Sequence, residues 1–398
     1  MSPDRDAELR RLVARAAGLA SLAATYADID PNEGGWFDRV PVMTREKATV
    51  AAREAYARRD ASSGPAYLFT SGGSTSEPQL AWIPAGLHLD EITSHWQPLR
   101  GTDTVANLAM PGRLWSAHVF YNRLAERAGA GVIGLGHVDD AELVDWLGFL
   151  DAAGATVLVG TPGQLAAVLR HCVDSQHPLG RRLRAAIWFG EACGPELFEL
   201  IATHLPGLEL HGNYGSTETW VIGHNGPDCD PDAFHVLPHQ HVELADGAVL
   251  VSTLHPQAVG PVVRYRLGDR GCWVRCRCGR EGALRVLGRE GALVKFAGTL
   301  VDPYALVRAA CTTPGVQAAQ GVLMENGSGH IDVLQLRIVA HPRPDPDVLR
   351  DHVLDAHIDL RFGLRGHEDA VQIQFVDRLE TVARTAKTPA LVRRQAKP

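Results

Sequence analysis

YLFTSGGSTSEPQLAWIP, residues 67–84, begins as a strand-like run, passes through glycines and hydroxyls, and recovers as a second strand-like run. Its middle reads either as a solvated linker or as a loop that holds a polyanion. The flanks weigh against a linker, because Tyr67-Leu68-Phe69 and Leu80-Ala81-Trp82-Ile83 look like buried strand ends. Glycine lets backbone N–H groups converge on an anion, since no side chain blocks the approach. The hydroxyls of Thr70, Ser71, Ser74 and Thr75 can donate further hydrogen bonds to phosphate oxygens. No Gly-Lys-[Ser/Thr] follows, so the stretch is not a Walker A loop.

Strand-like and helix-like runs alternate from Thr104 to Gly190. Strands are expected at 104–110, 131–135, 156–159 and 185–189, with helices at 117–127, 140–153 and 164–172. Such alternation predicts an α/β domain with a partly parallel sheet. Ala-, Leu- and Arg-rich runs at helical spacing precede it at 5–28 and 45–58. After Tyr214 the chain turns to short β segments with Gly and Pro. From 303 onward the order is helix (303–311), strand (316–324), Asn-Gly turn, strand (331–339), helix (345–361), strand (370–376) and a basic tail. The expected fold is therefore a large α/β N-terminal domain with a β-rich segment, residues 1–288, and a small α+β C-terminal domain, residues 289–398.

Composition narrows the function classes. The 398 residues are 45% hydrophobic and 21% charged, enough apolar mass for more than one core. A net charge of −7, with no basic stripe, argues against nucleic acid as partner. The polar N-terminus lacks signal-peptide order, and no apolar run approaches the roughly 18 residues of a membrane span. A soluble cytoplasmic protein with no membrane partner is expected. The seven cysteines cluster unevenly, three of them within 272–278, which in a reducing compartment points to metal before disulfides.

Three later stretches bear on the loop at 67–84. FGE (189–191) ends a strand, HGNYGSTETW (211–220) packs an aromatic, a glycine, a hydroxyl and a carboxylate into one turn, and YRLGDRG (265–271) presents an aspartate after a strand. In this order and spacing the segments resemble the core motifs of adenylate-forming, AMP-binding enzymes, the superfamily of acyl- and aryl-CoA ligases. Within it the phenylacetate–CoA ligase branch looks nearest, and GREGALVKFAGTLVDP (288–303) resembles the passage into a mobile C-terminal domain.

The resemblance implies an ATP-dependent acid ligase. In such enzymes a carboxylate attacks the α-phosphorus of ATP, pyrophosphate leaves and an acyl-adenylate remains, work done mostly by alignment and charge neutralisation. It implies that Thr70, Ser71, Gly72, Gly73, Ser74 and Thr75 hold the β- and γ-phosphates. Glu218 would coordinate Mg²⁺, Thr217 would reach the α-phosphate, and Tyr214, between Asn213 and Gly215, would stack beside adenine. Gly190 and Glu191 would line the adenine pocket, Asp269 would accept both ribose hydroxyls, and Arg289 would support the ribose. In ARTAKTP, Lys387 stands where the family carries its catalytic lysine. An aromatic-lined acid pocket would draw on Trp115, His118, Tyr121, Phe189 and Trp220, which suits an aryl acid.

Departures bear on the second half of the reaction. Ser76 and Gln79 stand where the phosphate loop commonly has Gly and Lys, and Gly291 and Ala292 where the hinge normally carries an acidic residue. CoA is the simplest acyl acceptor. An amine, a hydroxyl or a carrier protein in a biosynthetic pathway is the alternative, and a non-catalytic nucleotide- or zinc-binding relative is a third. Relatives are often homodimers. Separately, Cys229 and His235 in CDPDAFH, with Cys276 and Cys278 in WVRCRCGRE, make a Cys₃His set suited to structural Zn²⁺, with Cys272 and His224 as alternative ligands. Cys172, Cys193 and Cys311 are expected to pack as small apolar residues.

Overall fold

The structure is a computed structural model that describes residues 2–70, 80–139, 141–290, 294–296, 299–325, 331–357, 360–361, 364 and 368–395. The chain divides into two compact units. The larger comprises Met1–Gly160, Arg182–Gly190 and Glu209–Leu287, the smaller Thr161–Arg181, Glu191–Leu208 and Gly288–Pro398. No helix among the described residues is long and apolar enough to cross a membrane.

An 11-stranded sheet runs through the larger unit. Its parallel half runs, in spatial order, Glu209–Ser216, Ala185–Trp188, Val157–Gly160, Thr104–Asn107 and Gly131–Ile133. The inner strands here are continuous apolar runs: VLVG (157–160) and AAIW (185–188) are buried throughout, as strands covered on both faces must be. An antiparallel half follows on the other side of Glu209–Ser216, beginning with Trp220–Asn225 and Ala233–Val236. The mixed sheet expected from the alternation is what the chain forms.

Helix Ala117–Ala128 shows how the sequence sets these elements. Phe120, Tyr121, Leu124 and Ala125 share its buried face, and Gly129 ends it in the left-handed conformation at φ 76°. The same apolar cluster takes in Ile92, Val105, Val157, Ile187 and Trp220. A buried ion network fixes one end of the sheet: the Arg184 guanidinium donates to Asp103 at 2.5 Å and to Glu209 at 2.7 Å. The described flanks of the 67–84 stretch lie outside this sheet. Ala66–Thr70 pairs antiparallel with Leu80–Pro84, Thr70 opposite Leu80, and Phe69, Ala81 and Ile83 are buried. The flanks are thus the paired strand ends their sequence indicated.

In the smaller unit Val316–Glu325 and Ile331–Ala340 form an antiparallel pair extended by Val371–Phe375, Leu391–Gln395 and the short strands at 294–296 and 299–301. Helices Pro303–Cys311 and Pro346–Asp355 contribute Leu306, Ala310, Leu349 and Val353 to its core. Two expectations differ from the outcome. The helix expected to reach 361 ends at Asp355, and the basic tail contains a strand, Leu391–Gln395, parallel to Val316–Glu325. Its Arg393 pairs with Glu325 at 2.6 Å, so the charges that read as a solvated tail lie along a sheet edge. The Asn326-Gly327 turn lies outside the described residues.

Candidate active site

The carboxylate turn is the tip of a hairpin. Strands Glu209–Ser216 and Trp220–Asn225 pair with Ser216 opposite Trp220, leaving Thr217, Glu218 and Thr219 to make the turn. The turn is closed from within: the Thr219 amide donates to the Ser216 hydroxyl at 3.1 Å. Gly215 is required by close approach, since a Cβ there would come within 2.3 Å of the Trp220 carbonyl oxygen. Trp220 adopts φ 65° and donates its indole N–H to the Leu87 carbonyl at 2.9 Å. A left-handed non-glycine residue at such a turn stores strain that the surrounding packing must hold. Glu218 and Thr217 are half-buried at the tip.

Two motifs distant in sequence meet beneath this turn. Tyr214 donates its hydroxyl to Asp269 Oδ2 at 2.6 Å, and the Tyr214 ring packs on Phe234 with centroids 5.4 Å apart. Asp269 is 7% exposed, on the strand Tyr265–Val274. Asn213 accepts a hydrogen bond from the buried Tyr121 hydroxyl at 3.1 Å, and burial drives that phenol well above its ordinary pKa.

The aromatic candidates for the acid pocket share one apolar cluster. Trp115, Tyr121, Phe189 and Trp220 all belong to it, with Tyr121 and Phe189 centroids 4.7 Å apart. His118 faces the Ala109 carbonyl at 2.7 Å through Nδ1. Among them, Trp220 also borders a cavity of about 40 Å³ lined by Glu218, Thr219, His88, Thr253 and the strand Leu80–Pro84. Trp188 lies against Gly212, where a Cβ would come within 2.3 Å of the indole.

Within the smaller unit the lysine of ARTAKTP meets the glutamate of FGE. Lys387 sits on a tight turn whose carbonyl accepts from the Val382 amide at 2.8 Å, after Ala386 at φ 53°. The next amide, of Thr388, donates to Glu191 Oε2 at 2.7 Å, and the Gly163 amide in the first turn of helix Pro162–Asp174 also bonds this carboxylate. Burial raises Glu191 to about 7, against the pull of Lys387 and the two amides. Burial lowers Lys387, with Glu191 opposing and the charges of Arg384 and Arg289 adding to the fall. Gly163 and Thr388 were not singled out from sequence. Thr388 could have been found as the neighbour of Lys387, whereas nothing local marks Gly163.

Ser71, Gly72, Gly73, Ser74 and Thr75 lie outside the described residues, as do Ser76, Gln79, Gly291 and Ala292. Thr70 is buried and its amide donates to the Leu114 carbonyl at 2.9 Å. Gly190 has φ 87°, a conformation that favours glycine after the strand Ala185–Trp188. Arg289 is exposed.

Cys229, His235, Cys276 and Cys278 converge, with one ligand atom from each lying within 4.8 Å of the others. Cys278 Sγ is 3.3 Å from His235 Nε2, and the Asp230 amide donates to Cys276 Sγ at 3.4 Å. Ligand atoms around tetrahedral zinc stand roughly 3.3–3.8 Å apart, so small side-chain adjustments suffice and the donor set fits. Burial pushes the Cys278 thiol up, but hydrogen bonds from Arg280 and the neighbouring thiols outweigh it and bring it to about 7. Cys272 and His224 are not part of this group. Cys172 is buried, and Cys193 and Cys311 are partly so.

The family model described as AMP-binding enzyme matches residues 6–256. A curated relative, the phosphinothricin tripeptide synthetase PhsB of Streptomyces viridochromogenes, is 30% identical over 244 residues, 52% of this chain. The chain spans 19% of that relative's length. Among solved structures, a 2-hydroxyisobutyryl-CoA ligase in the postadenylation state superposes with TM-score 0.73 at 15% identity, covering 98% of this chain and 88% of that one. The anthranilate CoA ligase AuaEII gives TM-score 0.60 at 19% identity, covering 80% and 64%. The amide bond synthetase McbA from Marinactinospora thermotolerans gives 0.59 at 19%, covering 79% and 66%. These likenesses establish a shared fold, and the family match spans well over half the sequence. The chain belongs to the AMP-binding enzyme family.

Proposed function

We propose that this chain adenylates an aryl or similar small carboxylic acid with ATP and transfers the acyl group to CoA. The observation that best supports this is the meeting of Lys387 and Thr388 with Glu191, which joins the C-terminal lysine motif to the FGE motif. A carboxylate oxygen of the acid attacks the α-phosphorus, the bond to the leaving pyrophosphate breaks, and the acyl-adenylate forms. The Lys387 ammonium, held by its turn, bridges the acid carboxylate and the α-phosphate and stabilises charge that builds in the transition state. Asp269, already accepting from Tyr214, anchors the ribose hydroxyls, and Thr217 reaches the α-phosphate from the hairpin tip. Residues 70–75 grip the outer phosphates, and Gly190 with Tyr214, Asn213 and Gly215 bounds the adenine.

Glu218 would hold Mg²⁺, a hard cation that supplies charge neutralisation at phosphate oxygens. Cys229, His235, Cys276 and Cys278 would hold a structural Zn²⁺ that ties the 229–235 segment to the turn at 276–278. The acid is recognised by Trp220 and the Trp115, His118, Tyr121 and Phe189 group, as in the phenylacetate–CoA ligase branch. Residues 289–398 form the mobile C-terminal domain and 1–288 the N-terminal one.

The second reading keeps adenylation and replaces CoA with an amine, a hydroxyl or a carrier protein. Gly291 and Ala292, at the position of an acidic hinge residue, favour it, and a relative that is a tripeptide synthetase agrees with it. Incubation with ATP, Mg²⁺ and a panel of acids, followed by CoA, separates the two. Acyl-CoA formation supports the first, whereas acyl-adenylate that persists with CoA and is consumed by amines supports the second.

A further inference from the structure

Among residues given no role above, three imidazoles gather in the larger unit. His88, His239 and His255 are 5%, 9% and 2% exposed. The His88 and His255 ring centroids lie 3.7 Å apart, and the His239 centroid lies 6.1 and 5.9 Å from them. His88 Nδ1 is shielded from solvent and has no hydrogen-bond partner among the described residues. Buried polar atoms in folded proteins are nearly always paired, so an unpaired nitrogen among three buried imidazoles asks for an occupant.

Glu91 supplies the missing charge. Its Oε1 pairs with His255 Nε2 at 2.8 Å. Ligand atoms of His88, Glu91 and His255 all lie within 4.8 Å of one another. His88 stands at the N-cap position of the helix Leu89–His95, in the left-handed conformation, and Glu91 lies in its first turn. His255 follows the strand Ala248–Thr253 and brings the third ligand from a different element.

We propose that His88, Glu91 and His255 hold a divalent transition-metal ion, zinc for preference. Two imidazoles and a carboxylate are a zinc ligand set that leaves a fourth position open. His88 also borders a cavity of about 40 Å³, with room for a water beside the group. The ion would tie the start of the helix to the end of the strand. It would also fix Leu87 and His88, consecutive left-handed residues at φ 53° and 54°, the first of which accepts the Trp220 indole. This centre is separate from the Cys₃His group and needs no part of the adenylation scheme.

The two centres are distinguishable by cobalt. Metal-stripped full-length protein is titrated with Co²⁺ alone and followed by absorption and by equilibrium dialysis. Two equivalents are expected, one with the near-ultraviolet thiolate-to-cobalt charge transfer of a cysteine site and one with weak visible bands only. Glu91→Gln and His255→Asn should each weaken the second by at least about tenfold, while leaving the charge-transfer equivalent intact. Glu91 is 43% exposed, so its glutamine variant should fold, as circular dichroism will check. Absence of a thiolate-free equivalent in the wild type, or its retention at unchanged affinity in both variants, would overturn the proposal.

Discussion

Lys387 and Glu191 show how one pair of side chains sets a pH profile. The lysine acts as an ammonium, and burial already lowers its pKa while Glu191 holds it up. Removing the carboxylate takes away that support, so the pKa falls further and activity is lost at lower pH. Glu191→Gln is expected to move the alkaline limb of the adenylation rate profile downward, and superimposable profiles would contradict the pairing. Lys387→Ala should lower the adenylation rate by roughly 10²–10³, the usual effect of deleting one transition-state charge partner. The lysine motif was legible as a short string, but its partner was not. Glu191 and Lys387 are far apart in the chain, and only folding brings the Thr388 amide to 2.7 Å from the carboxylate.

At the scale of elements, the hairpin carrying Glu218 depends on glycines that admit close neighbours. Gly212→Ala would drive a Cβ to within 2.3 Å of the Trp188 ring. Overpacking of this kind costs about 1–3 kcal/mol, so a lowered urea midpoint with an unchanged slope is expected. The cysteine segments offer a second check. Cys276→Ser should lose zinc by elemental analysis and lower the Tm by roughly 5–10 °C, the order expected for a few kcal/mol in a domain of this size. Zinc retained at full stoichiometry would remove Cys276 from the ligand set. These elements were readable because periodicity and local spacing carry them: residues 117–128 are helical, 185–188 are a strand, and Cys276 and Cys278 are two positions apart. Leu391–Gln395 was not readable, since LVRRQ looks solvated until Val316–Glu325 lies alongside it. The His88, Glu91 and His255 group was also missed. His88-x-x-Glu91 was its one local signal, and His255 joins through tertiary packing.

Across the whole molecule, the family match at residues 6–256 spans the glycine-hydroxyl loop, FGE and HGNYGSTETW, whereas YRLGDRG and the distal lysine lie beyond it. Order survives in sequence because each motif is local to a strand end or turn. Substrate choice does not, because Trp115, Tyr121, Phe189 and Trp220 come from separate segments and join a common apolar cluster. Apolar packing and acid recognition call for the same residue types, so composition alone does not separate them. The most direct measurement is carboxylate-dependent exchange of labelled pyrophosphate into ATP, run with the full chain over aryl and aliphatic acids. Exchange with at least one acid is expected, strongly reduced in Glu218→Ala and Lys387→Ala. No exchange with any acid, or exchange unaffected by both substitutions, would contradict adenylation at this site.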